Sequence, residues 1–273
     1  MNARASSPAP EAAGGRPKAP RTPALLYLAI LVALVVVYGW SFSGVETNPR
    51  RLLEGLGETL VIFRLMFFPP AWYYLHDVAI GVVETLQIAV LGTCIAAVLA
   101  LPFGFWAARN VAGKGIPAAS GKLGLNAIRT FPELLLAVIF IRWVGPGPFA
   151  GVLAMGFHSV GMLGKLYAEV VEAIDPAPVE ALVATGANRL QVAWYAILPQ
   201  VLPDFASYAL YRFEINSRAA AVLGLVGAGG IGTPLIFNLQ QHNWPEVGMI
   251  LLGVIVVVSV IDYVSGYLRR RIV

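Results

Sequence analysis

The sequence predicts an all-α protein that crosses a membrane about six times. Three observations carry this. Hydrophobic residues make up 58% and charged residues 12% of the 273 positions, against about 45–50% and about 25% in soluble domains, so a watery surface could not be covered. Apolar runs recur at the length of about 20 residues that a helix needs to cross hydrocarbon. The charges collect in the gaps between those runs. The 28 glycines and 19 prolines agree, since both are commoner in membrane helices than in soluble ones.

Taken in order, residues 1–21 are rich in Ala, Pro, Arg and Ser and read as a disordered tail. Thr22 to Val45 carries no charge. It exceeds a signal-peptide core and no clean A-x-A site follows, so residues 22–45 are expected to stay as a first transmembrane helix. In residues 48–70, Leu52, Leu53, Leu56, Leu60 and Phe63 recur at helical spacing while Arg50, Arg51, Glu54 and Glu58 take other faces. Pro69 and Pro70 end that stretch. It is expected to be an amphipathic external helix, lying on the outer membrane surface or packed on the spans.

Five further spans are expected, at 81–105, 128–146, 149–168, 201–222 and 247–267. Glu133 and Arg142 fall near the two ends of the 128–146 run, where they are expected to reach headgroup level. A Gly145–Pro148 turn separates that run from the next. No internal repeat supports an inverted-repeat transporter.

The net charge of +4 is distributed as a membrane signal. Arg4, Arg16, Lys18 and Arg21 precede the first run, Arg109, Lys114 and Lys122 fill a later gap, and Arg269, Arg270 and Arg271 close the chain. Basic residues at span ends mark the cytoplasmic side, so both termini, the 106–127 gap and residues 169–200 are expected inside. The loops at 145–148 and 225–246 lack Lys and Arg and are expected outside, with Arg50, Arg51 and Arg64 counting against this. No basic stripe interleaved with aromatics offers a nucleic-acid surface. Cys94 is the one cysteine, which excludes an intrachain disulfide and leaves it as a small packing residue.

Residues 169–200 are more organised than a connecting loop needs. Asp175 can cap a helix whose first turn holds Pro176 or Pro178, and Glu180 complements its positive end. Gly186 suits the left-handed position after that helix. Asn188 and Gln191 have capping-box spacing for a second short helix, and Pro199 is expected to break the segment before the next span. Helix, glycine turn, helix is the pattern of a docking surface.

Glu180-Ala181, Gly186 and the closing Leu198-Pro199 resemble the EAA loop of bacterial ABC importer permeases. The departures are mild, Leu182 standing where Ala is usual and Ala196 at a later hydrophobic position. YRFEINSRAAAVLGLVGAGGIG at 211–232, with EVVEAIDPAPVEALVATGA and ILPQVLPDFASYALYRFEIN, resembles the phosphonate permease branch of that family over about residues 78–273. The resemblance implies a type I, MetI-like transmembrane domain working as a homodimer in the bacterial inner membrane. It implies two ATPase subunits docked on the 169–200 loop and a periplasmic or lipid-anchored phosphonate-binding protein. The partner ATPase would bind ATP and Mg, and this chain would carry no cofactor.

Gly227, Gly229 and Gly232 formally match G-x-G-x-x-G. That fingerprint needs a βαβ unit, and a polytopic chain has none. With Gly230 they are expected instead at a helix break where backbones approach closely. GMLGKLY around Lys165 lacks the first glycine and the Ser or Thr of a P-loop. The remaining constellation lies in the 201–222 run. Arg212 is eleven residues beyond Val201, about 16 Å along a helix, and has no acidic residue three or four positions away. Glu214 and Arg218 can pair on one face, and Arg212 shares another with Asn216. Ionisable groups inside a span line a pathway or pair internally, so Arg212, Glu214, Asn216 and Arg218 are the candidate translocation residues. A same-fold permease for another solute is the alternative. An integral-membrane phosphatase is disfavoured because His76, His158 and His242 sit in unrelated contexts and form no catalytic cluster.

Overall fold

The computed structural model describes residues 24–45, 49–113 and 115–272. The expected tail at 1–21 and Lys114 lie outside them. Among these residues the secondary structure is helical, with no strand. Packing divides the chain after Glu58.

The first helix, α1 (Ala24–Ser43), exposes every described side chain. An uncharged helix of 20 residues has the length and composition of a membrane span. The second, α2 (Pro49–Phe67), leaves Leu53, Leu56, Leu60 and Phe63 exposed along one stripe, as the amphipathic pattern requires.

The body of the protein is built on α3 (Leu75–Ala107) and α7 (Pro148–Glu172). Small residues let these two approach. Gly151, Ala154, Gly156 and Ala168 of α7 are buried, as are Ala89, Gly92, Ala96 and Gly104 of α3. A Cβ on Gly104 would lie 2.8 Å from the Cβ of Tyr167. Tyr167 in turn stacks on Phe205 with ring centroids 4.0 Å apart.

Between them run the short α4 (Arg109–Ala112), α5 (Ile116–Thr130) and α6 (Glu133–Val144). This corrects the expected span at 128–146. The helix stops at Thr130, and α5 and α6 meet at 81°. Phe131 is extended at ψ 122, as a residue before proline must be, and Pro132 starts a new helix. Glu133 therefore opens α6 at the break, eleven residues from Val144, about 17 Å from the outer turn. Its carboxylate is mostly covered and faces Arg212. Arg142, near the other end, is exposed beside that turn.

The chain continues through α8 (Pro176–Ala184), α9 (Arg189–Val192), α10 (Leu198–Leu223), α11 (Gly232–Gln240) and α12 (Trp244–Ile272). The expected outer loop at 225–246 thus contains a helix. Four helices have the length and apolarity of a span, and the bent α5–α6 pair makes a fifth. The sixth expected span falls on α10, which composition alone leaves out of this count. It has 26 residues, but Asp204, Arg212, Glu214 and Arg218 lower its apolarity. It packs on α3, α7 and α12. Cys94 is exposed rather than packed.

Candidate functional site

The EAA-like segment between α7 and α10 is held by local bonds. The Asp175 carboxylate accepts from the Ala177 N–H at 3.0 Å, capping α8. Gly186 has φ +81, and the Gly186 and Ala187 N–H groups return to Val183 and Leu182 at 3.0 and 3.2 Å. That is a Schellman closure, which needs a residue free to adopt positive φ. Asn188 and Gln191 exchange side-chain and backbone bonds at 2.8 and 2.9 Å, opening α9. Gln200 reaches back to the Asp175 N–H at 3.1 Å, closing the segment on itself.

Glu180, Ala181 and Gly186 are exposed, while Leu182 and Leu198 pack on the core around Tyr167 and Val192. One expectation changes. Pro199 does not break the segment; a wider π turn at Ala193–Ile197 runs straight into α10, with Pro199 in its first turn. The helix runs on through this position, and the wider π turn just before it accommodates a residue that has no N–H to give to the ladder.

Arg212 is buried to 4% exposure. Its Nε donates to the Ser159 hydroxyl at 2.8 Å and its Nη1 lies 3.3 Å from the Met162 sulfur. Its Nη2 faces the Glu133 carboxylate at 3.9 Å. The arginine without a partner on its own helix therefore has one across the fold. Asn216, one turn on, donates to the hydroxyls of Thr93 and Ser159 at 2.8 and 3.1 Å. His158 sits beside this layer with its ring nitrogen 3.1 Å from the Phe131 carbonyl, at the α5–α6 break.

Glu214 and Arg218 pair at 3.0 Å, on a different face from Arg212. Glu214 is shared: Arg269 of α12 reaches its second oxygen at 2.7 Å, and Asp262 lies 3.8 Å from Arg218. Two acids and two bases alternate, so their charges cancel while tying α10 to α12.

The glycines fall where α10 ends. A 3₁₀ turn (Gly224–Val226) leads to Gly227 at φ +86, and Gly229 and Gly230 are also left-handed at +82 and +75. A Cβ on Gly229 would lie 2.7 Å from Pro148, and one on Gly232 would lie 2.1 Å from the Ala221 carbonyl oxygen. The Thr85 hydroxyl pins this turn, accepting from the Ile231 N–H at 2.8 Å. Tyr74, Asp77, Glu84, Gly147 and Gly229 help line a cavity of about 690 Å³ on this side.

Residues 100–273 match the family described as binding-protein-dependent transport system inner membrane component. The chain belongs to this family. The permease is 47% identical over 244 residues, covering 89% of it and 88% of the relative, to the phosphite transport system permease protein PtxC of Stutzerimonas stutzeri. It is 36% identical to the phosphate-import permease protein PhnE of Mycolicibacterium smegmatis, over 85% of this chain and 44% of that one. Among solved structures, a chain of the inward-facing MetNI methionine ABC transporter superposes with a TM-score of 0.66, covering 74% of the permease and 99% of that chain. At 20% identity this shows the fold alone.

The permease is thus a multi-pass membrane subunit of a transport system, as its relatives are, and not an enzyme. Sequence spacing finds the caps of its EAA-like segment and the Glu214–Arg218 pair. It misses Glu133, Thr93, Ser159, Asp262 and Arg269, whose partners lie on other helices. Pro132 after an apolar run was the one available signal for the break that places Glu133.

Proposed function

We propose that the permease forms, as two copies, the translocation pathway of an ATP-driven importer for phosphite, phosphonates or related phosphorus oxyanions. The observation that carries this reading is the 47% identity to a phosphite permease along 89% of the chain. The fold does not select the solute, since methionine and alginate transporters share it.

In this reading the exposed α8 face, with Glu180 and Ala181, docks on a separate ATPase subunit that binds ATP and Mg. A periplasmic or lipid-anchored binding protein delivers the anion at the glycine turn. Both termini lie inside, with Arg269, Arg270 and Arg271 at the cytoplasmic surface. The spans of one chain enclose little room for a hydrated oxyanion, whereas two copies create a path on a two-fold axis.

The test is ATP-dependent uptake in proteoliposomes holding the permease, its ATPase and its binding protein. Phosphite, methylphosphonate, phosphate and methionine are offered in turn. Uptake of at least one phosphorus oxyanion and not methionine is expected. Methionine uptake without any of the three would overturn the substrate class.

A further inference from the structure

A second cavity lies between α10 and α12, away from the glycine turn. It measures about 460 Å³ and is lined by Ser207, Gly266, Arg269 and Arg270. Its polar groups are short of acceptors. Arg269 spends its Nη2 on Glu214, while its Nε is buried with no hydrogen-bond partner. A buried guanidinium N–H left unpaired costs about 1–3 kcal/mol or more, so an acceptor belongs there.

Ser207 points the same way. Ser217 and Ser259 return their hydroxyls to the carbonyls of Phe213 and Ile255, at 2.8 and 2.7 Å. Ser207 makes no such bond among the described residues, although the same option is open to it on a helix. Its hydroxyl is free at the cavity wall.

The charge is also unbalanced. Glu214 and Asp262 are matched by Arg218 and Arg269. Arg270 has no carboxylate within ion-pair distance among the described residues. Arg270 is exposed, as positive-inside placement expects of an arginine at a span end, and it also lines this cavity together with Ser207 and Arg269.

We propose that this cavity binds a phosphate group, supplied by an anionic phospholipid or by a free phosphorus oxyanion. Anionic oxygens accept from the Ser207 hydroxyl and the Arg269 guanidinium, and Arg270 supplies the remaining charge. Tyr211, Tyr263 and Tyr267 are exposed around the same end of α10 and α12. Exposed tyrosines mark headgroup depth, and basic pockets between helices on that face suit lipid phosphates. The lipid is therefore the favoured source. This site does not depend on which solute the pathway carries.

The assembled transporter is stripped of loose lipid, offered equal phosphatidylglycerol and phosphatidylcholine, and weighed by native mass spectrometry. Preferential retention of phosphatidylglycerol is expected. Arg270→Gln should reduce it about tenfold, the equivalent of one charge-assisted hydrogen bond. Gly266→Leu should block the cavity without changing charge, since a Cβ there meets nothing within 4 Å. Inorganic phosphate added to the stripped transporter separates the sources. A thermal shift that is lost in Arg270→Gln assigns the site to a free oxyanion, and lipid retention with no such shift assigns it to lipid. Equal retention of the two lipids with no phosphate shift overturns the proposal, as does a lipid preference unchanged in both variants. Failure of phosphorus-oxyanion uptake would end the transport reading and leave this result standing.

Discussion

Arg212 and Glu133 face each other at 3.9 Å, Nη2 to Oε1, and neither of these buried atoms has a hydrogen bond. Glu133 is placed by Pro132, which starts α6 at the helix break and leaves the carboxylate at a favourable helix N-terminus. Arg212 is placed by Ser159 and Met162 on α7. The pair thus links the bent α5–α6 element to α7 and α10, the helix that follows the EAA-like segment. A buried pair missing one partner leaves an uncompensated charge.

Arg212→Ala and Glu133→Gln should each lower the stability of the assembled complex, Arg212→Ala by about 3–5 kcal/mol. The double variant should lose clearly less than the sum, because no charge is left stranded. Thermal unfolding of the four complexes checks this. Strict additivity would show that the two side chains are not coupled.

Arg212→Lys keeps the charge but loses the planar fork that reaches Ser159, Met162 and Glu133 together. It should assemble with its ATPase and take up substrate more slowly than wild type. Wild-type uptake by this variant would remove Arg212 from the transport cycle.

Glu214 serves two arginines, so the consequences of cutting this network are unequal. Glu214→Gln should cost about 2–4 kcal/mol because it removes the carboxylate charge that Arg218 and Arg269 share and leaves one acceptor oxygen in place of two. Arg218→Ala should cost about 1 kcal/mol or less, since Arg218 is half exposed and Arg269 still holds Glu214. Reversal of this order in denaturation midpoints would refute the shared-acceptor account.

Gly186→Val should leave the chain in the membrane but abolish ATP-dependent uptake. A β-branched residue at φ +81 is strained by about 1–3 kcal/mol, and the Schellman closure that orients α8 against α9 would yield first. Glu180→Ala, which removes one exposed charge, should reduce uptake only partly. Uptake assays with membrane-fraction blots separate the two.

Gly232→Ala and Gly124→Ala make a matched pair. A Cβ at Gly232 would sit 2.1 Å from the Ala221 carbonyl oxygen, while at exposed Gly124 of α5 it meets nothing within 4 Å. The first should destabilise by about 1–3 kcal/mol through overpacking. The second should stabilise by about 0.5–1 kcal/mol by reducing unfolded-chain freedom. Melting temperatures moving in the same direction would contradict this.

What the sequence determined by itself is local in origin. The membrane class follows from composition. The caps at Asp175 and Asn188, the turn at Gly186 and the Glu214–Arg218 pair follow from contacts within about one helical turn, which spacing encodes directly. The family was legible for a related reason: the EAA-like and glycine-rich stretches are each contiguous.

Tertiary structure decided the rest. A hydropathy window reads 128–146 as one span because it averages over Pro132, yet the chain turns 81° there. Apolarity alone passes over α10, whose charges are answered by side chains of other helices. Arg212 looks unpaired along its own helix and is answered by Glu133, Ser159 and Met162 from α6 and α7. Buried charge in an apolar medium must find a partner wherever the fold can supply one, and that partner need not be near in sequence.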